Sequence, residues 1–474
     1  MDLSKIKNVY VIGIKGSGIV GIVEILTKMG IFVSGSDVPE KFFTDEILQK
    51  LDIKYFEEFS EKNIPENVDL ILYSTAYNAE NNIEFNAAKE RDVLMMSYPE
   101  ILGELFNQKY GIAVCGTHGK TTTSAMMAFV LQAVGVSPTA VIGSRVKQWG
   151  GNALVGTGEY FVIEADEYQN KLRLYEPKGV ILTSVDWDHP DTYPTLNEYK
   201  KAFTDFVAKI PKTGFLVVWG DSIDTNEIAK YCTAKVIKYG FGEDNDVVIS
   251  NFKFHPPRRT NQNQMSNDQN DELKYQSFDV MYKKENLGSF QIKLIGKHNV
   301  LNAGAVIAVC HKLNLDMEKV REALKDFSGT SRRFEMIGQR NGAILIDDYG
   351  HHPEEIKATL KATREIYPDK NIIAVFHPHS YSRTEALLQD FAQSFDDADR
   401  VIVLDIYGSA RENTGNVSSE DLVKLINKYN RGKAEYIATI DGAVESLQDK
   451  ISDTDIVLAI GAGNVFEVVK KLKF

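Results

Sequence analysis

The stretch Val114 to Met126, VCGTHGKTTTSAM, has the residue types of a phosphate-binding loop but a shortened glycine spacing. In the usual loop the first glycine would fall at Val114; here the glycine is Gly116, two residues late. The context still fits, because the apolar strand YGIAVCG precedes the turn and the helical pattern TTTSAMMAFVLQAVG follows it. In such a setting Lys120 is suited to neutralising β and γ phosphate oxygens and Thr121 to ligating Mg²⁺, while the amides from Thr117 to Lys120 cradle the phosphates. Two further strands end in acids. YFVIEADEY delivers Glu164, Asp166 and Glu167, and LTSVDWDHPDTY delivers Asp186, Asp188, His189 and Asp191. In an open parallel sheet these ends converge on one crevice, where oxygen ligands and a neutral imidazole suit Mg²⁺ beside a polyphosphate. Most strand-end acids are merely solvated turn residues; three coincident clusters weigh against that reading here.

A second glycine cluster, VIGIKGSGIVG, places Gly13, Gly16, Gly18 and Gly21 between a strand and a helix, where backbone amides and the helix dipole bind a pyrophosphate. Its order is G-x-x-G-x-G, not the dinucleotide order G-x-G-x-x-G, and Asp37 follows at the distance of a ribose or base contact. The cluster alone leaves three readings open: a bare turn, a nicotinamide or flavin site, and a site for the diphosphate of a UDP-sugar.

The elements that position these groups follow from length and patterning. At 474 residues the chain exceeds one ordinary hydrophobic core and predicts about three domains. With 43% hydrophobic and 25% charged residues the composition is that of a soluble globular protein, and a net charge of -12 argues against a nucleic-acid partner. Apolar runs such as RVIVLDIY are too short to span a bilayer, the start lacks a signal-peptide pattern, and a cytoplasmic location with no membrane association is expected. Cys115, Cys232 and Cys310 form no CxxC and suit a reducing compartment. Strand and helix patterns alternate in three regions, which predicts parallel α/β sheets. Only the Asn- and Gln-rich segment 255–274 breaks the pattern, and it reads as a loop or hairpin tip.

Taken together the motifs resemble the Mur ligase family of cell-wall synthesis, whose phosphate loop has the short form GTxGKT. Further matches run the length of the chain: GIKGSG, EADE, DHPDTY, GKHNVLNAGAVIAV, SRRFE, DDYGHHP, HPHSYSRT and GAGNV. The resemblance implies an α/β fold of three domains: an N-terminal Rossmann-like domain for a UDP-sugar (1–108), a central P-loop ATPase-like domain (109–328) and a C-terminal Rossmann-like domain that closes over the site (329–474). It implies ATP contacts from Gly116, Thr117, His118, Gly119, Lys120, Thr121 and Thr122, from His298, Asn299 and the adenine reader Asn302, from Arg332 near the phosphates, and from Asp347 or Asp348 at the ribose. Thr121 and Glu164 would ligate one Mg²⁺ and His189 a second, with Mn²⁺ as a substitute. Gly13, Gly16, Ser17, Gly18 and Asp37 would hold the UDP-sugar, and Tyr349, His351, His379 and Arg383 the incoming amino acid.

The implied reaction joins UDP-N-acetylmuramate and an amino acid, L-alanine first among them, through an acyl phosphate. Lys120, Glu164, His189, His351 and Arg383 would carry the chemistry. A bidentate guanidinium such as Arg383 suits the amino acid's carboxylate. The enzyme would act as a monomer or homodimer. Two positions depart from the family pattern: Phe203 stands where several relatives have a carbamylated lysine, and Ser380 where an arginine is usual. Alternatives are a murein-tripeptide ligase, a ligase for another amino acid, a nicotinamide-dependent oxidoreductase and a nucleotide-binding module without catalysis.

Overall fold

A computed structural model describes residues 5–255, 275–408 and 415–474; all of the segment 255–274 except His255 lies outside the described residues. The first sheet contains β1 (Asn8–Ile12), β2 (Phe32–Ser36), β3 (Lys54–Phe56), β4 (Leu70–Tyr73) and β5 (Leu94–Ser97), all parallel, in the order β3-β2-β1-β4-β5. Side chains alternate along β1, so Val9 and Val11 face one core while Tyr10 and Ile12 face another. The chain leaves central β1 for β2 on one side and later returns to β4 on the other. That reversal opens a crevice at the carboxyl end of β1, where the glycine turn Gly13–Gly16 lies.

The second sheet contains β6 (Tyr110–Cys115), β7 (Thr139–Val146), β8 (Gly151–Leu154), β9 (Tyr160–Glu164), β10 (Gly179–Leu182), β11 (Phe215–Trp219), β12 (Lys235–Gly240), β13 (Val247–His255), β14 (Tyr275–Tyr282) and β15 (Glu285–Ile292). Its order is β15-β14-β13-β12-β11-β10-β6-β9-β7-β8. The strands β6 and β9 to β11 read as continuous apolar runs because helices cover both faces, whereas β13 to β15 form an antiparallel extension. Since β6 lies between β9 and β10, Val114 pairs with Glu164 and Cys115 with Leu182. This register brings the loop after β6 beside the acidic ends of its two neighbours.

The third sheet contains β16 (Glu335–Arg340), β17 (Ala343–Asp348), β18 (Asn371–Phe376), β19 (Arg400–Val403), β20 (Ala434–Tyr436) and β21 (Asp455–Ile460), ordered β16-β17-β21-β18-β19-β20. All but β16 run parallel, so the residues after β17, β18 and β21 share one edge.

Helix starts separate structural turns from anion-ready ones. The helices Leu196–Val207 and Ser419–Tyr429 open with capping boxes, Thr195 with Glu198 and Ser418 with Asp421, which satisfy the orphan amides. By contrast, Ser17–Lys28, Lys120–Ala133 and Lys297–Lys312 start after Gly16, Gly119 and Gly296 with no side-chain cap and no acid in the first turn. Their exposed amides and positive dipole ends favour an anion.

Candidate active site

The phosphate loop is held by glycine geometry and by β10. Gly116 has φ 124° and Gly119 φ 78°, and a Cβ on Gly119 would lie 2.7 Å from Asn302 Oδ1. Any other residue at 119 would meet both backbone strain and a clash. The Thr117 amide donates to the Ser184 carbonyl at 2.9 Å, the His118 amide to Ser184 Oγ at 3.0 Å, and Thr183 Oγ1 to the His118 carbonyl at 2.6 Å. Two amides expected to cradle phosphate are therefore engaged with β10's end, and the first-turn amides of Lys120, Thr121 and Thr122 are those that helix geometry leaves open. Lys120 curls back, donating to the Gly116 carbonyl at 2.6 Å and pairing with Glu167 at 3.1 Å. Burial disfavours its charge, but Glu167, Asp166 and Glu164 outweigh that and hold the ammonium above its ordinary pKa.

Two groups of metal-type ligands flank this lysine. Thr121 Oγ1 donates to Glu164 Oε1 at 2.7 Å, and the Gly143 amide donates to Glu164 Oε2 at 2.8 Å. Next to them, Asp166, Glu167 and His189 bring one donor atom each to within 4.8 Å of one another. His189 has φ 55°, an uncommon left-handed conformation for a side-chain-bearing residue. Glu167 is fully buried and accepts from Tyr199 Oη at 2.8 Å. Thr121 and Glu164 thus come together as expected, whereas His189 joins Asp166 and Glu167. The EADE run contained the signal for Glu167; nothing in the local sequence marked Tyr199. Phe203, at the place of the carbamylated lysine, is buried edge-on against Tyr199 with ring centroids 5.1 Å apart. Oxygen donors with one imidazole beside an uncapped helix start fit Mg²⁺ and a polyphosphate.

The residues expected to contact nucleotide lie on the helix Lys297–Lys312 and at the edge of the third sheet. Asn302 Nδ2 donates to Asn299 Oδ1 at 3.2 Å, Asn299 Nδ2 donates to the Ile295 carbonyl at 2.6 Å, and His298 is exposed. Asp347 has one buried carboxylate oxygen without a partner, and burial pushes this group up to about 6 despite Arg332 beside it. An orphaned acceptor of this kind suits a ribose hydroxyl. Asp348 instead accepts from the Phe334 and Gly350 amides at 2.8 and 2.7 Å.

The two linker arginines divide differently from expectation. Arg332, expected near the phosphates, pairs with Asp347 at 3.0 Å and donates to the carbonyls of Gly461, Ala462 and Gly463 between 2.8 and 3.3 Å. Arg333 turns the other way: it lies 3.6 Å from Glu355, and Glu355, Asp348 and Glu164 hold its guanidinium charged against burial.

Tyr349, His351 and His379 gather as expected, with Tyr349–His351 and His351–His379 ring centroids 5.3 and 6.0 Å apart. His351 Nδ1 lies 3.1 Å from the Tyr349 carbonyl, an arrangement that assigns the proton to Nδ1 and leaves Nε2 an acceptor. Burial, assisted by Arg383, pushes His351 down to about 3. Its neighbour His352 is the helix cap: Nδ1 accepts from the Glu354 amide at 3.3 Å. Arg383 enters this group already paired, its Nε and Nη2 donating to the two Asp188 oxygens at 2.7 and 3.2 Å. Nη1 lies on the other side, 3.2 Å from His379 Nδ1. Ser380 adopts φ 63° and caps the short helix carrying Arg383, accepting from its amide at 3.3 Å.

At the first glycine cluster, a Cβ on Gly13 would meet the Tyr77 ring at 2.6 Å and one on Gly18 the Tyr98 ring at 2.6 Å. Ser17 is exposed at the helix start. Asp37 is buried and organises the turn, accepting from the Lys15 and Val38 amides at 2.6 and 2.8 Å.

The site is that of a phosphate-loop enzyme assembled across three sheets, and comparisons with known proteins agree. Family descriptions match in succession: "Mur ligase family, catalytic domain" over residues 8–110, "Mur ligase middle domain" over 114–310 and "Mur ligase, glutamate ligase domain" over 332–463. A UDP-N-acetylmuramate–L-alanine ligase of Desulfitobacterium hafniense is 39% identical, covering 98% of this chain and 99% of the relative. The enzyme of the same name from Caldanaerobacter subterraneus is 38% identical, covering 99% and 98%. Among solved structures, the UDP-N-acetylmuramate-alanine ligase of Thermotoga maritima superposes with a TM-score of 0.80 at 25% identity, covering 98% of each chain. A murein peptide ligase from Psychrobacter arcticus shares the fold, with a TM-score of 0.70 at 21% identity over 98% of each chain. The chain belongs to the Mur ligase family. No helix among the described residues is long and apolar enough to cross a membrane.

Proposed function

We propose that this protein is an ATP-dependent amide ligase that adds L-alanine to the lactyl carboxylate of UDP-N-acetylmuramate in peptidoglycan precursor synthesis. The observation that carries this reading is the convergence of Lys120, the Thr121–Glu164 pair and the Asp166–Glu167–His189 group on one crevice, in a chain similar throughout to ligases of that name. The uncapped start of Ser17–Lys28 faces the diphosphate of the sugar nucleotide, and the uncapped start of Lys120–Ala133 faces the ATP phosphates. Lys120 exchanges Glu167 for phosphate oxygens as nucleotide enters. Thr121, Glu164, Asp166, Glu167 and His189 would hold two Mg²⁺ ions, or Mn²⁺ in their place, which would offset charge between the two anions.

The substrate carboxylate attacks the γ-phosphorus, ADP leaves, and an acyl phosphate forms. The amine then attacks the activated carbonyl, forming the amide as phosphate departs. His351 Nε2, an acceptor because Nδ1 faces the Tyr349 carbonyl, orients the incoming amine, whose proton passes to solvent as the amide forms, and Arg383 Nη1 contacts the amino acid's carboxylate. Asn302 reads adenine and Asp347 the ribose.

The test is phosphate release with ATP, Mg²⁺ and UDP-N-acetylmuramate across a panel of amino acids and the murein tripeptide. Release with L-alanine well above every other partner is expected. Release with tripeptide alone would assign the chain to peptide recycling. Release with no added amine partner would end the ligase reading.

A further inference from the structure

At the boundary between the central and C-terminal sheets, Glu355 is a mostly buried carboxylate with partners on both sides. It stands in the first turn of the helix Pro353–Ile366. Its Oε1 lies 3.5 Å from His118 Nδ1 and 3.6 Å from Arg333 Nη1. Its Oε2 accepts from the His351 and His352 amides at 2.9 and 3.4 Å. One oxygen thus faces cations on the ATP side, and the other fixes the backbone that carries the amino-acid histidine.

The Oε2 contacts are those of a capping box, which needs only one oxygen and which a glutamine also satisfies. A cap does not account for the cations at Oε1. His118 belongs to the phosphate loop and lies between two carboxylates, with Asp186 3.2 Å from its Nε2. Both ring nitrogens meet those acids at ion-pair distance rather than in hydrogen-bond alignment. Burial opposes the charge on this ring, but the two acids prevail and push His118 up to about 9, so the contact to Glu355 is a charge pair across the boundary.

We infer that Glu355 is a positioning residue that couples the nucleotide subsite to the amino-acid subsite, holding His118 and Arg333 through one oxygen and the His351 backbone through the other. Because the same side chain serves both subsites, occupancy of one raises affinity at the other, and the effect is reciprocal. The inference rests on the subsite assignments given under the proposed function.

The test is Glu355→Gln, which keeps the capping oxygen and removes the charge. The melting temperature should stay near that of the wild type, while KM for ATP and for the amino acid each rise about tenfold and KM for UDP-N-acetylmuramate stays within about twofold. His118→Gln should show the same pattern, and the double variant should be no worse than either single one. Wild-type kinetics for Glu355→Gln would reduce the residue to a helix cap and overturn the inference. So would a change in only one of the two KM values, or additive losses in the double variant. A wild-type enzyme that releases phosphate without an amino acid would overturn the functional reading itself, and this inference with it.

Discussion

Chain-adjacent residues at this site have unrelated tasks, and Arg332 and Arg333 show it most clearly. Arg332 has φ 61° and Phe334 φ 48°, so the linker turns sharply and sends neighbouring side chains apart. The Arg332 guanidinium lies 5.0 Å from the Tyr349 ring centroid and 4.7 Å from that of Phe466, with its donors on Asp347 and the turn 461–463. Arg332→Ala would leave Asp347 without its countercharge and the turn carbonyls without donors. A loss of roughly 3 kcal/mol follows, seen as a fall of about 5–10 °C in the melting temperature of the C-terminal unit. Arg333→Ala should leave melting nearly unchanged and lower kcat/KM for phosphate release by about a hundredfold, because its charge faces Glu355 and Glu164. Reversed effects in calorimetry and kinetics would exchange the two roles. The motif SRRFE shows that arginines are present; which of them meets Asp347 and which Glu355 depends on two backbone dihedrals that no residue type in the motif dictates.

At the scale of elements, two of the glycine-started helices are legible in the sequence, since GIKGSG and GTHGKT each put glycine where a capping side chain would otherwise stand, whereas the helix after Gly296 is shown by the structure. The packing of the helix Ser17–Lys28 against β7 and β8 is not legible in the sequence. There a Cβ on Gly21 would lie 3.3 Å from Val141 and Ala153, and Asn152 donates to the Ser17 carbonyl. Glu24, which amphipathic patterning would assign to solvent, is enclosed in this contact with Oε1 unpartnered, and burial pushes it up to about 7 against the opposing charge of Lys28. The unfolded chain releases this proton near pH 4.3, whereas the folded chain holds it to about 7. Glu24 therefore subtracts stability progressively between those values and fully above them. Glu24→Gln should be more stable than the wild type by on the order of 2 kcal/mol at pH 8 and equal to it near pH 4. Denaturant titrations at both values check this; equal stabilities at pH 8 would mean that the carboxyl is not held neutral.

For the whole molecule, the Asp188–Arg383 pair spans the central and C-terminal sheets with both partners nearly fully buried. Two buried charges repay their desolvation only while together, so removing one partner costs several kcal/mol. Asp188→Asn should therefore open the ligand-free molecule, raising the radius of gyration in small-angle scattering. It should also raise KM for the amino acid about tenfold or more, as Arg383 loses the carboxylate that orients it. An unchanged radius together with an unchanged KM would show that the domains are held by other contacts.

The α/β class, the phosphate loop with Lys120 and Thr121, and the delivery of acids to the strand ends flanking that loop are all legible in the order of residues. Those signals are local: apolar periodicity, glycine before a helix start, and acids directly after apolar runs. How those groups pair is settled by the folded chain alone. Glu167 joins His189 and Tyr199, Arg333 faces Glu355, Glu355 bridges to His118, and Arg383 meets Asp188 across 195 residues of chain. Such pairings depend on sheet order, register and the docking of domains. A residue's own neighbours in sequence carry no record of which distant charge will share its low-dielectric surroundings.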